Sequence, residues 1–216
     1  MSGAPPERGR FITLEGPEGS GKTTAARHLA QWLRDRGVAT VLTQEPGGTP
    51  LGEEVRRIVL HMRGMSDDLD PRADALLYAA ARAQHVARVI RPALERGEWV
   101  VCARYLDSSL AYQGAGYGND LDEMRRLQQF ATYDLRPDLT LLLDLPVAVG
   151  LERTRRRAEW NRFEDTETAA FFERVRSAYL ALAAAEPGRF EIVDGSGSVE
   201  AADQAIRTTI AERFDL

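Results

Sequence analysis

Eight consecutive residues, Gly16-Pro17-Glu18-Gly19-Ser20-Gly21-Lys22-Thr23, constrain this chain more than any other part of it. They match G-x-x-x-x-G-K-S/T in full. They lie between an apolar, β-branched run, Phe11-Ile12-Thr13-Leu14, and a stretch of helical character from about Lys22 to Arg36. Glycines at these places let backbone N–H groups turn inward around phosphate oxygens, in conformations that side chains obstruct. The following helix adds the positive end of its dipole. Strand, turn and helix in that order make a chance glycine-rich turn a poor account of the motif. Lys22 is also the single lysine among 28 basic residues, the rest being arginine. A compact ammonium on a thin stem can thread beside a nucleotide's β- and γ-phosphates, where the wide guanidinium fork cannot. Gly16, Gly19, Ser20, Gly21, Lys22, Thr23 and Thr24 are therefore the candidate phosphate-binding set, with the Thr23 hydroxyl as a ligand to Mg²⁺.

A hydrophobic content of 44% and a charged content of 28% over 216 residues suit one globular domain, 1–216. The net charge of −5 argues against a nucleic-acid polymer as partner. No apolar run reaches the length of a membrane span. Met1 to Gly9 lacks the apolar core of a signal peptide and reads as a flexible tail over residues 1–9. The lone cysteine, Cys102, excludes an intramolecular disulfide and fits a cytoplasmic setting; within Trp99-Val100-Val101-Cys102 it is a core thiol rather than a reactive one.

Strand-like runs alternate with helical ones. Strands are expected at Phe11–Leu14, Val38–Thr43, Trp99–Cys102, Leu139–Leu143 and Phe190–Val193. Helices are expected over Lys22–Arg36, Leu51–Met62, a long stretch after Pro71, Asp120–Tyr133, Val147–Arg156, Thr166–Ala185 and Val199–Arg213. In the long stretch Leu76, Ala80, Ala83, Ala87, Ile90 and Leu94 recur at helical spacing, with a kink expected at Pro92. The Asp120–Tyr133 helix reads as packing. This alternation predicts an α/β fold, a five-stranded parallel sheet with helices on both faces, whose ligands bind beyond the carboxyl ends of the strands.

With Lys22 as the only lysine, the Asn-Lys-x-Asp motif by which GTPases read guanine is absent, and the chain is short for an ATPase motor. A kinase that phosphorylates a small molecule fits better. It needs a second anion site for the acceptor and a mobile positive element over the transferring group. The arginine-dense Arg153-Thr154-Arg155-Arg156-Arg157 with Arg162 is a candidate for that element, though composition alone also allows an exposed basic helix end.

Three further stretches accompany the phosphate loop: Glu45-Pro46-Gly47-Gly48-Thr49, Arg104-Tyr105-Leu106-Asp107-Ser108-Ser109-Leu110-Ala111-Tyr112-Gln113-Gly114, and the arginine-rich segment. In this order they resemble the bacterial thymidylate kinases, a family of nucleoside monophosphate kinases, from about Phe11 to the C-terminal helix. The resemblance implies transfer of the ATP γ-phosphate to dTMP to give dTDP, with Mg²⁺, in a P-loop kinase of sheet order 2-3-1-4-5 that forms a homodimer. It assigns Arg56 and Arg104 to the dTMP phosphate, Tyr78 to stacking on thymine, Arg82 to a base carbonyl, Ser109 to the base edge and Tyr112 to the deoxyribose. It makes Arg153, Arg157 and Arg162 arginines of a lid over about 153–165, with Arg153 taken for ATP; it does not decide which of the three meets the transferring phosphoryl group, and Arg157 is the candidate chosen. Glu18 is the acidic phosphate-loop residue of the bacterial type, so the catalytic set becomes Lys22, Arg104, Arg157 and Glu18. By pattern alone, Arg56 also fits a solvated helix face and Tyr78 a core position. The chain departs from the family at Ala103, where an aspartate normally precedes the arginine, and at Asn161, where the lid often has aspartate. A metal-assisted reaction carried by Glu18 and Thr23 at reduced efficiency is the expectation. A kinase for another monophosphate, or a nucleotide-binding regulator with weakened catalysis, remain as alternatives.

Overall fold

Every residue of β1 (Phe11–Glu15) is buried, as a strand paired on both edges and covered on both faces must be. A computed structural model of the chain describes residues 7–61, 69–156 and 168–216. In it β1 pairs in parallel with β3 (Trp99–Ala103) and β4 (Leu139–Asp144), while β2 (Thr40–Gln44) flanks β3 and β5 (Phe190–Asp194) flanks β4. The order β2-β3-β1-β4-β5 is the one the resemblance implies.

The helices are α1 (Lys22–Asp35), α2 (Pro50–Arg56), α3 (Pro71–His85), α4 (Arg91–Glu95), α5 (Leu106–Ser109), α6 (Leu121–Thr132), α7 (Val147–Arg155), α8 (Ala169–Ala185) and α9 (Val199–Phe214). Side-chain caps set many of their starts. Thr49, Asp70, Asp120, Thr168 and Ser198 each accept a backbone N–H from the first turn, and Pro50 and Pro71 open α2 and α3, where a missing N–H costs nothing. Ile12, Leu14, Val101 and Leu141 face α1 and α9, packing against Ala26, Leu29, Leu33, Ile206 and Ile210. On the opposite face Phe11, Val100 and Cys102 meet Ile90 and Leu94, and Leu142 meets Phe171 and Val175 of α8.

Two expectations about the long helical stretch need correction. Leu76 is 58% exposed, and Ala80 and Ala87 are exposed as well; the inner face instead carries Asp74, Ala75, Ala79, Arg82, His85 and Val86. The helix is turned this way because its polar residues find buried partners: Gln113 donates to Asp74 at 2.9 Å, and Arg82 and His85 both reach Glu45. At Pro92 there is no isolated kink. A π-helical turn, Val86–Ile90, separates α3 from α4. Pro92 has no N–H for the carbonyl four residues back and its ring crowds it, so the backbone widens just ahead. A second π-helical turn, Arg57–His61, extends α2. Towards the N-terminus, Arg8 pairs with Asp138 at 3.0 Å and Gly9 N–H donates to Leu94 O at 2.9 Å, so the chain is tied to the body from Arg8 onward.

The phosphate loop leans directly on α7. A Cβ on Gly19 would collide with the Gly150 backbone, and one on Gly150 with the Glu18 carbonyl. Gly150→Ala is expected to cost about 1–3 kcal/mol through overpacking, read as a lower urea midpoint. Gly188→Ala, with open space around its Cβ, should stay within about 0.5 kcal/mol of the parent.

Candidate active site

The loop between β1 and α1 curls through positive φ at Gly16 (146°), Gly19 (74°) and Gly21 (90°). Lys22 is buried inside the curl. Its Nζ donates to Gly16 O at 2.9 Å, Pro17 O at 2.7 Å and Ser20 Oγ at 3.0 Å. No side chain caps α1 at Gly21, which leaves first-turn N–H donors for an anion. Thr23 is exposed and Thr24 half-buried in that first turn.

Arg104 follows β3 at φ 69°, a left-handed conformation that costs a non-glycine residue about 1–3 kcal/mol. Its N–H still donates to Leu14 O at 2.9 Å. Its guanidinium bonds Glu18 of the phosphate loop and lies 5.0 Å from the Tyr112 ring centre; the Tyr112 hydroxyl donates to the same Glu18 oxygen at 3.2 Å. Burial opposes charge on Arg104, but Glu18 outweighs it and holds the guanidinium firmly protonated. Glu18, Arg104 and Tyr112, from three separate segments, thus meet at one point.

Behind them sits Glu15, the last residue of β1. Its Oε1 accepts the N–H groups of Tyr105 (2.7 Å) and Ser108 (3.3 Å). Its Oε2 is 2.6 Å from Ser108 Oγ and 2.9 Å from the Tyr179 hydroxyl, which are themselves 2.9 Å apart. Three oxygens in a triangle need three hydrogens to fill each contact, and an ionised Glu15 leaves one short. Burial, with the Asp107 carboxylate adding to it, pushes the Glu15 carboxyl from an ordinary 4.5 up to about 7, against the pull of Ser108, Arg104 and Tyr105.

Arg82 is 1% exposed. Its Nε donates to Glu45 at 2.7 Å, Nη1 to Ser109 Oγ at 2.8 Å and to Gln128, and Nη2 to Tyr105 O at 2.9 Å. Burial alone would raise the Glu45 carboxyl; Arg82 and His85 outweigh it and hold it below 4.5. Tyr78 is half-buried beside Val55, Val59 and Ala81. Arg56 donates to Pro46 O at 3.1 Å, in the turn that contains the cis Glu45–Pro46 bond. At the other end of the sheet edge, Arg153 grips the loop after β5 through Gly195 O (2.6 Å), Ser196 O (2.8 Å) and Gly197 O (3.2 Å). Arg157, Asn161 and Arg162 lie outside the described residues.

A family model described as thymidylate kinase matches residues 14–206. The chain belongs to the thymidylate kinase family. It is 55% identical over 206 residues to a thymidylate kinase of Leifsonia xyli, covering 95% of this chain and 96% of that one. Against a thymidylate kinase of Pseudomonas fluorescens the figure is 50% over 208 residues, with 95% and 98% covered. A crystal structure of thymidylate kinase from Ehrlichia chaffeensis superposes with a TM-score of 0.75 at 31% identity, over 94% of this chain and 98% of that one.

Within this family frame, Ala103 is buried in the cluster that faces α1, two residues along β3 from Val101 on the same face. A carboxylate there would point toward the start of α1. Sequence reasoning gave no role to Glu15, Glu45 or Ser108, though the last two stand in the stretches it singled out, and it missed Gln128 and Tyr179. Gln128, in the helix read as packing, bonds Arg82 through its Oε1, while its buried Nε2 meets no acceptor among the described residues. Helical period was the only signal α6 offered, and it cannot show a contact with α3.

Glu15 gives the site a pH signature. Between about 4.5 and 7 the folded chain holds a proton that the unfolded chain has released. This contribution to stability is fully present below 4.5 and is lost as pH rises through about 7, at up to about 1.4 kcal/mol per unit. Glu45 acts in the opposite sense and in another window, its contribution being lost only as pH falls below 4.5. In urea unfolding, Glu15→Gln should gain on the parent steadily from about pH 5 to 7. A pH-independent difference would contradict the assignment.

Proposed function

We propose that the chain transfers the γ-phosphoryl group of ATP to dTMP, forming dTDP. The observation that carries this reading, beside the family membership, is the contact between Arg104 and Glu18. It sets an arginine suited to an acceptor phosphate directly against the loop suited to the donor's phosphates. Two phosphates held by these groups would be neighbours, and neighbouring reactants are most of what phosphoryl transfer requires.

In this reading Lys22 and the start of α1 hold the β- and γ-phosphates with Gly16, Gly19, Ser20, Gly21, Thr23 and Thr24. Arg153 and Arg157 complete the donor side, Arg157 over the transferring group. Arg56 and Arg104 hold the dTMP phosphate, whose oxygen is already a competent nucleophile, so no general base is needed. Glu18 keeps Arg104 oriented until phosphate arrives. Tyr78 stacks on thymine, Ser109 meets the base edge, and Tyr112 lies under the deoxyribose. Arg82 has two tasks, since its Nη2 retains one N–H beyond that given to Tyr105 O.

The metal fits a modest donor set. Among the described residues no group of three or more His, Cys, Asp or Glu side chains could hold an ion, and Ala103 offers no side-chain oxygen. The exposed Thr23 hydroxyl suits an Mg²⁺ that is carried in largely by the triphosphate. When bound it neutralises charge between the phosphates. No helix among the described residues is long and apolar enough to cross a membrane, and a cytoplasmic setting suits the lone buried Cys102. We infer a homodimer from the apolar surface of two adjacent helices, Leu76 on α3 and Phe130, 83% exposed, on α6; light scattering on the eluting peak measures it.

A coupled assay across dTMP, dUMP, CMP and GMP tests the reading. dTMP should be preferred, and strong preference for a purine would end the thymidylate assignment. ATP and dTMP binding without dTDP formation would instead favour the regulator, against which the intact loop and both acceptor-side arginines argue. Ala103→Asp should raise the rate and lower the Mg²⁺ needed for half-maximal velocity; unchanged rate and Mg²⁺ dependence would contradict the account of position 103.

A further inference from the structure

Arg104 is held in a backbone conformation its own chemistry disfavours. Besides the bond of its guanidinium to Glu18, the backbone on either side is held as well. Its N–H completes the β1–β3 ladder at Leu14 O, but the next N–H groups lie past the end of that ladder. Tyr105, at the cap position of α5, supplies no side-chain cap. Instead the Tyr105 N–H donates to Glu15 Oε1 at 2.7 Å, and the Ser108 N–H, shared with Tyr105 O at 3.1 Å, reaches the same carboxyl oxygen at 3.3 Å. The side chain of β1's last residue thus caps a helix that begins after β3. The other carboxyl oxygen is fixed by Ser108 Oγ at 2.6 Å and by the Tyr179 hydroxyl of α8 at 2.9 Å. Glu15 is fully buried and is joined by one peptide bond to Gly16, where the phosphate loop begins.

We propose that Glu15 is the positioning residue of the acceptor side: by binding the N–H groups of Tyr105 and Ser108 it holds the Arg104 backbone in the left-handed turn that delivers the guanidinium to the phosphate loop. The inference rests on the reading that Arg104 grips the acceptor phosphate. Glu15 itself touches no substrate in this scheme. Its effect is therefore specific: it governs what the phosphate contributes to acceptor binding and leaves the nucleoside's share alone.

The phosphate's share can be isolated by measuring dissociation constants for thymidine and for dTMP: thymidine's divided by dTMP's is the phosphate's contribution. Glu15→Ala is expected to reduce the ratio about tenfold, chiefly by weakening dTMP. Glu15→Gln keeps one acceptor oxygen for the two N–H groups, and its amide can donate to Ser108 and Tyr179; it should hold the ratio within about threefold of the parent. Arg104→Ala should reduce the ratio, and adding Glu15→Ala to it should reduce it no further. A parental ratio in Glu15→Ala alongside a reduced one in Arg104→Ala would overturn the role of Glu15. So would an equal loss of dTMP and thymidine binding, which would mean general disorder of the pocket. A parental ratio in Arg104→Ala would overturn the acceptor-side reading of Arg104 and the inference with it. Should Glu15→Ala not fold, Glu15→Asp carries the same test, because a carboxylate one methylene shorter falls away from both N–H groups; its ratio should drop, and a parental ratio would overturn the proposal.

Discussion

A parallel sheet covered on both faces has one surface left for polar chemistry, the edge where its strands end. This chain crowds that edge with charge. Glu15 ends β1, Glu45 follows β2, Arg104 follows β3, Asp144 ends β4 and Asp194 ends β5. Charges removed from water are tolerable only when paired and hydrogen-bonded. Glu45 therefore holds Arg82 and His85, and Asp144 takes Arg176 through two bonds of 2.8 and 2.9 Å. Glu15 sits in its triangle of hydroxyls, whereas Asp194, exposed to solvent, only folds back onto Ser196. Much of what surrounds the candidate site, including the inward turn of α3, follows from meeting these obligations.

This also explains what could be read in advance and what could not. The phosphate loop and the strand periods are local, written in a few adjacent residues, and the sheet follows from them with its edges displaced by only a residue or two. The meeting of Glu18, Arg104 and Tyr112 depended on the family resemblance, since no period links segments so far apart. The face of α3 was misplaced because apolar spacing favours Leu76, whereas the deciding partners, Glu45 and Gln113, belong to other elements. Glu15 was the hardest to see. It stands in a strand-like run as an ordinary neighbour of the loop, and its partners Tyr105 and Tyr179 lie 90 and 164 residues further along the chain.

The two sides of the sheet edge are built differently. On the proposed acceptor side the groups are interlocked: Arg82, Glu45, His85, Ser109 and Gln128 form one buried network, and Glu15 ties the backbone of Tyr105 to α8. In such a network the bonds polarise and strengthen one another, so losing one member weakens the rest. The proposed donor side is held through backbone carbonyls, those of the loop around Lys22 and those of the loop after β5 that Arg153 grips. The division matches an enzyme that must choose its acceptor base closely.

The single lysine has a practical meaning outside catalysis. Amine-acylating reagents usually scatter over a protein surface. Here the only ε-amine sits inside the phosphate loop, bonded to Gly16, Pro17 and Ser20, so apart from the α-amine at the chain start a reagent has one target. Mass added at Lys22 would report, molecule by molecule, whether the cradle was open when the reagent arrived.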